Sequence, residues 1–270
     1  MTQDQQDVDL LLSTQGSDGI LRLTLNDPAR RNALSETMLA ALNAAIEAAS
    51  ANKDVRVIIL AAVGPVFCAG HDLKEMTAGR QSGDRGRAYF TKILEQCSSV
   101  MRKIVNCPKP VIAEVDGVAT AAGCQLVASC DLAVASETSQ FCTPGVHIGL
   151  FCSTPMVALS RNLANKHAME MLLTGDMVPA SRAAEMGLVN KVVPSAGLND
   201  ASLALAGKIA AKSSLTVAIG KRAFYQQKEM DLAAAYNYAS SIMVDNMLAR
   251  DAEEGIAAFI EKRAPNWCDE

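Results

Sequence analysis

The residues of this sequence that could do chemistry lie in two short glycine-containing turns. The first turn is in 64–76 (GPVFCAGHDLKEM) and the second in 118–130 (VATAAGCQLVASC), and each follows an apolar, strand-like run. A small residue and a glycine where a strand turns into a helix let backbone N–H groups point outward without an acceptor. Such groups and the helix dipole favour negative charge. If the turns are neighbours in space, their N–H groups could bind one oxygen atom, as in an oxyanion hole. Either turn alone could equally be a tight turn that permits close packing.

The segments that must position these turns alternate between strand and helix patterns. Residues 20–25 (ILRLTL) alternate apolar and polar side chains, as a half-buried strand does. Residues 55–62 and 109–119 are nearly continuous apolar runs, typical of strands covered on both faces. Between the runs at 20–25 and 55–62, Ser35 can cap a helix over 35–50, where apolar residues recur at helical spacing. The order strand, helix, strand predicts an α/β core.

The last third of the chain has a mainly helical pattern. Residues 174–194 predict a turn, a short helix that ends at Gly187, and a strand over 188–193. From 198 to 263 the pattern is helical throughout. We therefore expect a core domain, residues 1–197, and a helical C-terminal subdomain, residues 198–270.

Composition and charge argue against several classes of function. The chain has 270 residues, half of them apolar, with a net charge of −4 and a pI near 5.5, so it lacks an electrostatic footprint for nucleic acid or for anionic membranes. The longest uncharged run, 138–160, is interrupted by prolines and glycines and does not predict a membrane span. Its eight cysteines show no CxxC spacing, which favours reduced, largely buried thiols over disulfides or a metal site. The acidic N-terminus has no basic residue before Arg22, unlike a targeting segment, so we expect a cytoplasmic protein.

Five motifs, in the same order, resemble those of the enoyl-CoA hydratase/isomerase (crotonase) superfamily from about residue 20 to the end. The motifs are FCAGHDLKEM (67–76), PVIAEVDGVATAAGCQLVASCDLAVAS (110–136), TPGVHIGL (143–150), LLTGDMVPASRAAEMGLVNKVVP (172–194) and EGIAAFIEKR (254–263). The resemblance implies a spiral of repeated strand-strand-helix turns with a helical C-terminal trimerisation region, assembled as a homotrimer or a dimer of trimers. It implies an acyl-CoA thioester as ligand, with coenzyme A as part of the substrate and no other cofactor.

The resemblance also assigns roles to residues. The backbone N–H groups of His71 and Ala122 would form the oxyanion hole, in which a thioester carbonyl becomes enolate-like when the α-carbon loses a proton or a carboxyl group. Arg30 would contact a phosphate of coenzyme A, although it could equally be an ordinary solvated charge. The other residues at substrate-binding positions are Ala33, Leu34, Asp72, Leu73, Lys74, Gly123, Phe259 and Lys262.

The sequence departs from the family pattern at the residues that handle protons. The two catalytic glutamates of the hydratases fall on Gln125 and Gly145, and an aspartate found in a related dienoyl isomerase falls on Ser153. An amide cannot accept a proton at neutral pH, and glycine has no side chain. Because a positioned acid or base contributes about a hundred- to ten-thousand-fold to rate, efficient two-glutamate hydration is not expected.

Two histidines and three cysteines remain near the motifs. His71 and His147 carry rings that titrate near neutral pH, and each could instead have a packing role. Cys68, Cys124 and Cys142 are not paired with a base, so we interpret them as small core residues.

Three functions stay open. The first is an enzyme that stabilises an enolate of an acyl-CoA, by hydration, decarboxylation of a malonyl-type thioester, or thioester hydrolysis. The second is a non-catalytic acyl-CoA binder. The third, RNA binding, is disfavoured because 35–50 contains no lysine or arginine.

Overall fold

The computed structural model describes residues 9–270 as a spiral of strands and helices. The strands are β1 Leu11–Gln15, β2 Ile20–Leu25, β3 Val57–Ala62, β4 Val66–Cys68, β5 Val111–Val115, β6 Val118–Thr120, β7 Leu132–Ser136, β8 Gln140–Cys142, β9 Val178–Pro179 and β10 Lys191–Val193. The helices are α1 Glu36–Ala51, α2 Leu73–Gly79, α3 Arg87–Asn106, α4 Ala122–Ser129, α5 Ser153–Asn162, α6 Asn165–Thr174, α7 Ala180–Met186, α8 Leu198–Ala210, α9 Ser214–Gln227, α10 Leu232–Met247 and α11 Arg250–Glu261.

From β3 to β8, successive turns of the chain each contribute one strand to each of two sheets. The larger sheet has the order β1-β2-β3-β5-β7-β10, in which β1 runs antiparallel to β2 and the other neighbours are parallel. The smaller sheet has the order β4-β6-β8-β9, so that β4, β6 and β8 repeat the order of β3, β5 and β7. Helices follow each strand pair. This arrangement is the predicted spiral of strand-strand-helix turns.

The predicted first helix is confirmed, together with its cap. Ser35 Oγ accepts a hydrogen bond from the Met38 N–H at 3.2 Å, and Met38, Leu42 and Ile46 are buried on one face of α1. An N-cap of this kind stabilises a helix by about 1 kcal/mol. The helix therefore begins where the sequence places it.

The apolar run 109–119 is two strands rather than the single strand expected. Gly117, at φ 79, turns the chain between β5 and β6, and a Cβ at this position would lie 2.0 Å from the Pro65 carbonyl oxygen. The turn transfers the chain from the larger to the smaller sheet. Strands β4 and β8 have three residues each, too few for a periodic signal, and the sequence did not predict them.

The helix over 180–186 ends at Gly187 as predicted, but the following strand is shorter than expected. Gly187 adopts φ 88, and the N–H groups of Leu188 and Val189 both reach back to the Ala183 carbonyl, at 2.9 and 3.3 Å. These two residues complete the helix end, so β10 begins only at Lys191.

Two clusters of apolar side chains form the core. The larger fills the space between the sheets and helices α1, α3 and α4, and the smaller lies between the opposite face of the larger sheet and α8. Helix α8 therefore covers the sheet, although it begins at Leu198, where the subdomain boundary was expected. The division into 1–197 and 198–270 stays a prediction.

Within residues 9–270, no single helix has the length and apolar character needed to cross a membrane. Only one pair of adjacent segments in this range has that length and apolar character when taken together. They are Ser195–Ala210 and Ser214–Gln227, and the chain bends by 102° between them.

Candidate functional site

The first glycine turn connects β4 to α2 and is held in place by the segment before α1. Gly70 adopts φ 86, which favours glycine, and its carbonyl accepts a hydrogen bond from the Leu34 N–H at 2.8 Å. The Ala69 N–H donates to the Arg31 carbonyl at 3.1 Å. The chain therefore leaves β4 in a fixed conformation, and His71 follows immediately.

The second turn connects β6 to α4. Ala121 adopts φ 50, an uncommon value for a residue with a side chain, and its N–H donates to the Cys142 carbonyl at 2.9 Å. Its carbonyl accepts the first helical hydrogen bond, from the Gln125 N–H at 3.0 Å. Ala122 is the first residue of α4, so its N–H has no acceptor four residues earlier in the helix.

The structure brings the two turns into direct contact. A Cβ built on Gly70 would lie 3.2 Å from the Ala122 nitrogen and 3.0 Å from the Ala121 Cβ. Strands β4 and β6 are parallel neighbours, and Thr120 Oγ1 donates to the Ala69 carbonyl at 3.0 Å. Sequence reasoning placed the turns but missed the Thr120 link, which no motif signals.

Gly123 is a glycine because α4 begins against the backbone of β4. A Cβ at Gly123 would lie 2.1 Å from the Cys68 carbonyl oxygen. Among the hydrogen bonds of residues 9–270, neither the His71 N–H nor the Ala122 N–H is a donor. The packing thus places two free N–H groups on adjacent turns, which is the arrangement that can bind one oxyanion.

The His71 ring is held in an uncharged environment beside the first of these N–H groups. Both ring nitrogens are buried and have no hydrogen-bond partner in the described part of the chain. Burial lowers the pKa of His71 below its ordinary value of 6.5, and the neighbouring Leu34 backbone, which favours the protonated ring but does not reach hydrogen-bond geometry, opposes this only in part. The ring is therefore neutral at pH 7, with one nitrogen protonated and the other free to accept.

Gln125 is buried on α4, one helical turn after Ala122. The residue is 4% exposed, and its amide oxygen Oε1 has no partner among residues 9–270. A buried amide oxygen without a donor is costly, so a ligand or a water with a donor group would stabilise it. The side chain can orient a polar group but cannot transfer a proton as a carboxylate does.

The space that a side chain at position 145 would need is occupied by other atoms of the chain. A Cβ there would lie 2.8 Å from the Leu150 carbonyl oxygen and 2.9 Å from Cys152 Sγ. The Leu150 N–H donates to the Gly145 carbonyl at 2.9 Å, which closes the loop over this space. A side chain at Gly145 therefore requires the loop to move. Ser153 is exposed, and its hydroxyl donates to the Phe151 carbonyl at 3.3 Å.

His147 has a structural contact. Its Nε2 lies 2.8 Å from the Thr174 carbonyl oxygen and so carries the proton in the neutral ring. A Cβ on Gly175 would lie 2.5 Å from the same nitrogen. The ring therefore fixes the end of α6, in agreement with the packing interpretation.

Burial makes the thiols of the cysteines near the turns unreactive. Cys68, Cys124 and Cys142 are buried and free. Burial raises the pKa of Cys68 to about 12 and that of Cys142 to about 11, and it raises the pKa of Cys124 further. All three are protonated at neutral pH. The expectation of largely buried, free thiols is confirmed, with Cys268 as the exposed exception.

Arg30 lies beside the first turn, but two carboxylates already contact it. Its Nε is 2.7 Å from Asp27 Oδ2, and its Nη1 is 3.8 Å from Asp72 Oδ2. Asp72 itself caps α2, accepting hydrogen bonds from the N–H groups of Lys74 and Glu75 at 2.8 and 3.3 Å. The structure thus gives Asp72 a structural role that the sequence did not predict. A phosphate contact by the half-exposed Arg30 stays a prediction.

The other residues predicted to contact the ligand differ in how exposed they are. Ala33 and Leu34 are buried, their N–H groups donate to the Arg30 and Gly70 carbonyls, and Leu34 forms an isolated parallel bridge with His71. Leu73 and Lys74 are exposed at the start of α2. Phe259, 85% exposed, and Lys262 lie at the end of α11, which packs against α10. Their contact with a ligand also stays a prediction.

Fold and turns together place the chain in the class of crotonase-fold proteins. It belongs to the enoyl-CoA hydratase/isomerase family, whose model matches residues 15–270. The chain is 52% identical over 257 residues to the Rattus norvegicus enoyl-CoA hydratase domain-containing protein 3, mitochondrial, covering 95% of this chain and 84% of the relative. The Homo sapiens protein of the same name is 50% identical, with 96% and 84% covered.

Solved structures agree with this family. The crystal structure of human enoyl Coenzyme A hydratase domain-containing protein 3 has a TM-score of 0.90 and 49% identity, covering 96% of this chain and 100% of that one. An enoyl-CoA hydratase from Mycobacterium smegmatis has a TM-score of 0.91 and 50% identity, covering 96% and 98%.

The expected cytoplasmic location is wrong. The rat, mouse and human relatives are all named mitochondrial. The expectation came from the acidic residues 1–12, most of which lie outside the described residues. A compartment is encoded by targeting segments and not by the folded core, so the core that these proteins share carries no signal for it.

Proposed function

We propose that this protein binds an acyl-CoA thioester and stabilises its enolate. In this proposal the thioester oxygen accepts hydrogen bonds from the N–H groups of His71 and Ala122. The observation that carries the proposal is the contact between the two turns, with 3.2 Å between a Cβ built on Gly70 and the Ala122 nitrogen, while neither N–H group donates to an acceptor within residues 9–270. Donors fixed before the reaction stabilise the charge that develops in the transition state. Coenzyme A enters as part of the substrate, and no separate cofactor takes part.

The proposed chemistry excludes hydration by two glutamates. Gln125 can hold a water molecule without removing its proton, and the loop at Gly145 leaves no room for a side chain. We therefore expect crotonyl-CoA hydration to be slow. Turnover at the typical enzyme rate of about 10 per second or more would contradict this proposal.

Decarboxylation is a second candidate, favoured by the same two positions. When the bond between the α-carbon and a carboxylate breaks, carbon dioxide leaves and the bonding pair remains in the enolate, so no base is needed. The α-carbon then takes one proton from water or from the ring of His71, whose nitrogens have no partner among the described residues. Binding without turnover is the remaining alternative.

A panel of thioesters distinguishes these reactions. Malonyl-type, 2-enoyl and saturated acyl-CoAs are incubated with the protein, and mass spectrometry detects loss of carbon dioxide, gain of water or release of free coenzyme A. Any of these supports catalysis of the corresponding class. Unchanged thioesters that nonetheless bind support the binder, and thioesters that neither bind nor react refute the proposal.

Replacing Ala122 by its α-hydroxy acid analogue tests the second N–H donor. The ester bond that results removes the N–H without adding an atom at the turn, where Ala121 adopts φ 50, a conformation that does not accept a following proline. We expect the rate with the best thioester to fall by about a hundred- to a thousand-fold. Free coenzyme A should bind as in the parent, and an unchanged rate would refute the role of this N–H.

We also propose a homotrimer, or a dimer of trimers. Apolar side chains on the C-terminal helices are strongly exposed in the single chain, among them Leu232 (76%), Leu248 (77%) and Phe259 (85%). Exposed apolar surface of this kind favours association. Light scattering coupled to gel filtration measures the mass, and a monomer at micromolar concentration would contradict the proposal.

A further inference from the structure

A cavity of about 810 Å³ separates α9 from the adjacent ends of α3, α4 and α5. This volume is within the range of small-molecule sites. Its inner wall is apolar and buried or half-buried, and its mouth is formed by exposed charged side chains. The wall includes Met101, Val105, Ala158, Leu215, Ala218 and Ile219.

The mouth of the cavity is cationic in a chain that is acidic overall. Arg102, Arg161, Arg222 and Lys228 line it, against the single carboxylate of Glu229. Arg161 pairs with Glu229 at 3.4 Å. Within residues 9–270, Arg102 and Arg222 form no ion pair, so two guanidinium groups face the mouth without a carboxylate. Guanidinium groups bind carboxylates through two parallel hydrogen bonds.

Helix α4 connects this cavity with the two turns. Gln125, Ala128 and Ser129 line the cavity from the helix face that begins at Ala122. Helical side chains lean toward the helix N-terminus, so the Gln125 amide extends over the turn that starts at Ala122. The helix rises by about 10 Å between Ala122 and Ser129, which is the length that an acyl chain would have to span between a carbonyl held at the Ala122 N–H and the cavity.

We propose that the substrate is an acyl thioester whose chain ends in a carboxylate, with the chain in the cavity and its terminal carboxylate at Arg102 and Arg222. This inference rests on the proposed function, because the thioester end must be held at His71 and Ala122. An apolar chain end would displace water from two guanidinium groups and give them no partner. A carboxylate restores their hydrogen bonds.

Calorimetric titration with matched pairs of thioesters tests the inference. Each pair has the same chain length, from six to twelve carbons, and differs only in the terminal carboxylate. At one length or more, we expect the carboxylated thioester to bind about tenfold more tightly, with a preference that shrinks as salt rises. Equal or weaker binding of the carboxylated member at every length overturns the inference and leaves the proposed function intact. If no thioester binds, both are overturned.

Substitutions at the mouth locate the preference. Arg102→Gln and Arg222→Gln should each reduce the preference for the carboxylated thioester several-fold. The affinity for the thioester without a terminal carboxylate should stay the same. Arg182→Gln removes an exposed arginine of α7 that pairs with Glu185, and should change neither affinity. A preference that survives both mouth substitutions would overturn the inference. The inference would also be overturned if free decanoate bound in a way that depends on Arg222 while the thioesters showed no preference for a terminal carboxylate. The cavity would then be a site for free fatty acids.

Discussion

Substituting Gly123 by alanine would separate the two turns. An added Cβ would lie 2.1 Å from the Cys68 carbonyl oxygen, a backbone atom that cannot rotate away. The start of α4 would have to retreat by about 1 Å, and overpacking of this kind typically costs about 1–3 kcal/mol. Alanine favours a helix over glycine by up to about 1 kcal/mol, which offsets part of this cost, so we expect a net loss of up to about 2 kcal/mol.

The assay compares two glycine-to-alanine substitutions that differ only in their surroundings. A Cβ at Gly220, inside α9, would have no atom of residues 9–270 within 4 Å apart from the adjacent residues and the backbone of its own helix. Gly220→Ala should therefore stabilise the protein by about 0.5–1 kcal/mol. Urea denaturation gives the free energy of unfolding of both variants, and calorimetry gives their affinity for butyryl-CoA. We expect opposite changes in stability and weaker thioester binding only for Gly123→Ala.

The result that would refute this reasoning is a Gly123→Ala variant that unfolds at the same urea concentration as the parent and binds the thioester equally well. The turns would then tolerate a separation that the structure does not allow.

Three further changes test other parts of the structure. Because the pKa of His71 is lowered in the fold, the unfolded chain binds more protons below pH 6.5, so stability should fall with pH from that value downward. His71→Gln should flatten this part of the stability profile, and an unchanged slope would contradict the neutral ring. Gly145→Glu should lower the urea midpoint and leave crotonyl-CoA hydration slow, since its Cβ would meet the Leu150 carbonyl oxygen at 2.8 Å; a stable, active hydratase would contradict the loop geometry. Lys221→Met should cost about 3–5 kcal/mol, because Lys221 Nζ lies 2.6 Å from Asp131 Oδ2 with both groups largely buried; a loss below 1 kcal/mol would show that the pair is solvated.

Local sequence signals were enough to predict the frame of the site. Apolar runs followed by a small residue and a glycine located both turns, and the order of the motifs identified the family and the spiral. The Ser35 cap and the helix end at Gly187 were also predictable, since each depends on a few adjacent residues.

Contacts between distant segments could not be predicted. The loop that occupies the space at Gly145, the ion pairs of Arg30 and the cap formed by Asp72 all depend on which segments meet in the fold. The cavity beside α9 combines residues from four helices that are far apart in sequence. Residue type alone therefore did not show that Arg30 contacts two carboxylates or that Asp72 caps α2.

The most direct measurement compares butyryl-CoA with S-butyl-CoA, a thioether that lacks only the carbonyl oxygen. Two-dimensional NMR of the 15N-labelled protein follows the amide protons of His71 and Ala122, the two donors proposed for that oxygen. With butyryl-CoA both amide protons should move downfield, as hydrogen-bonded amides do, and with the thioether they should not. If both ligands shift the two amides equally, or neither does, the two turns do not bind the thioester oxygen.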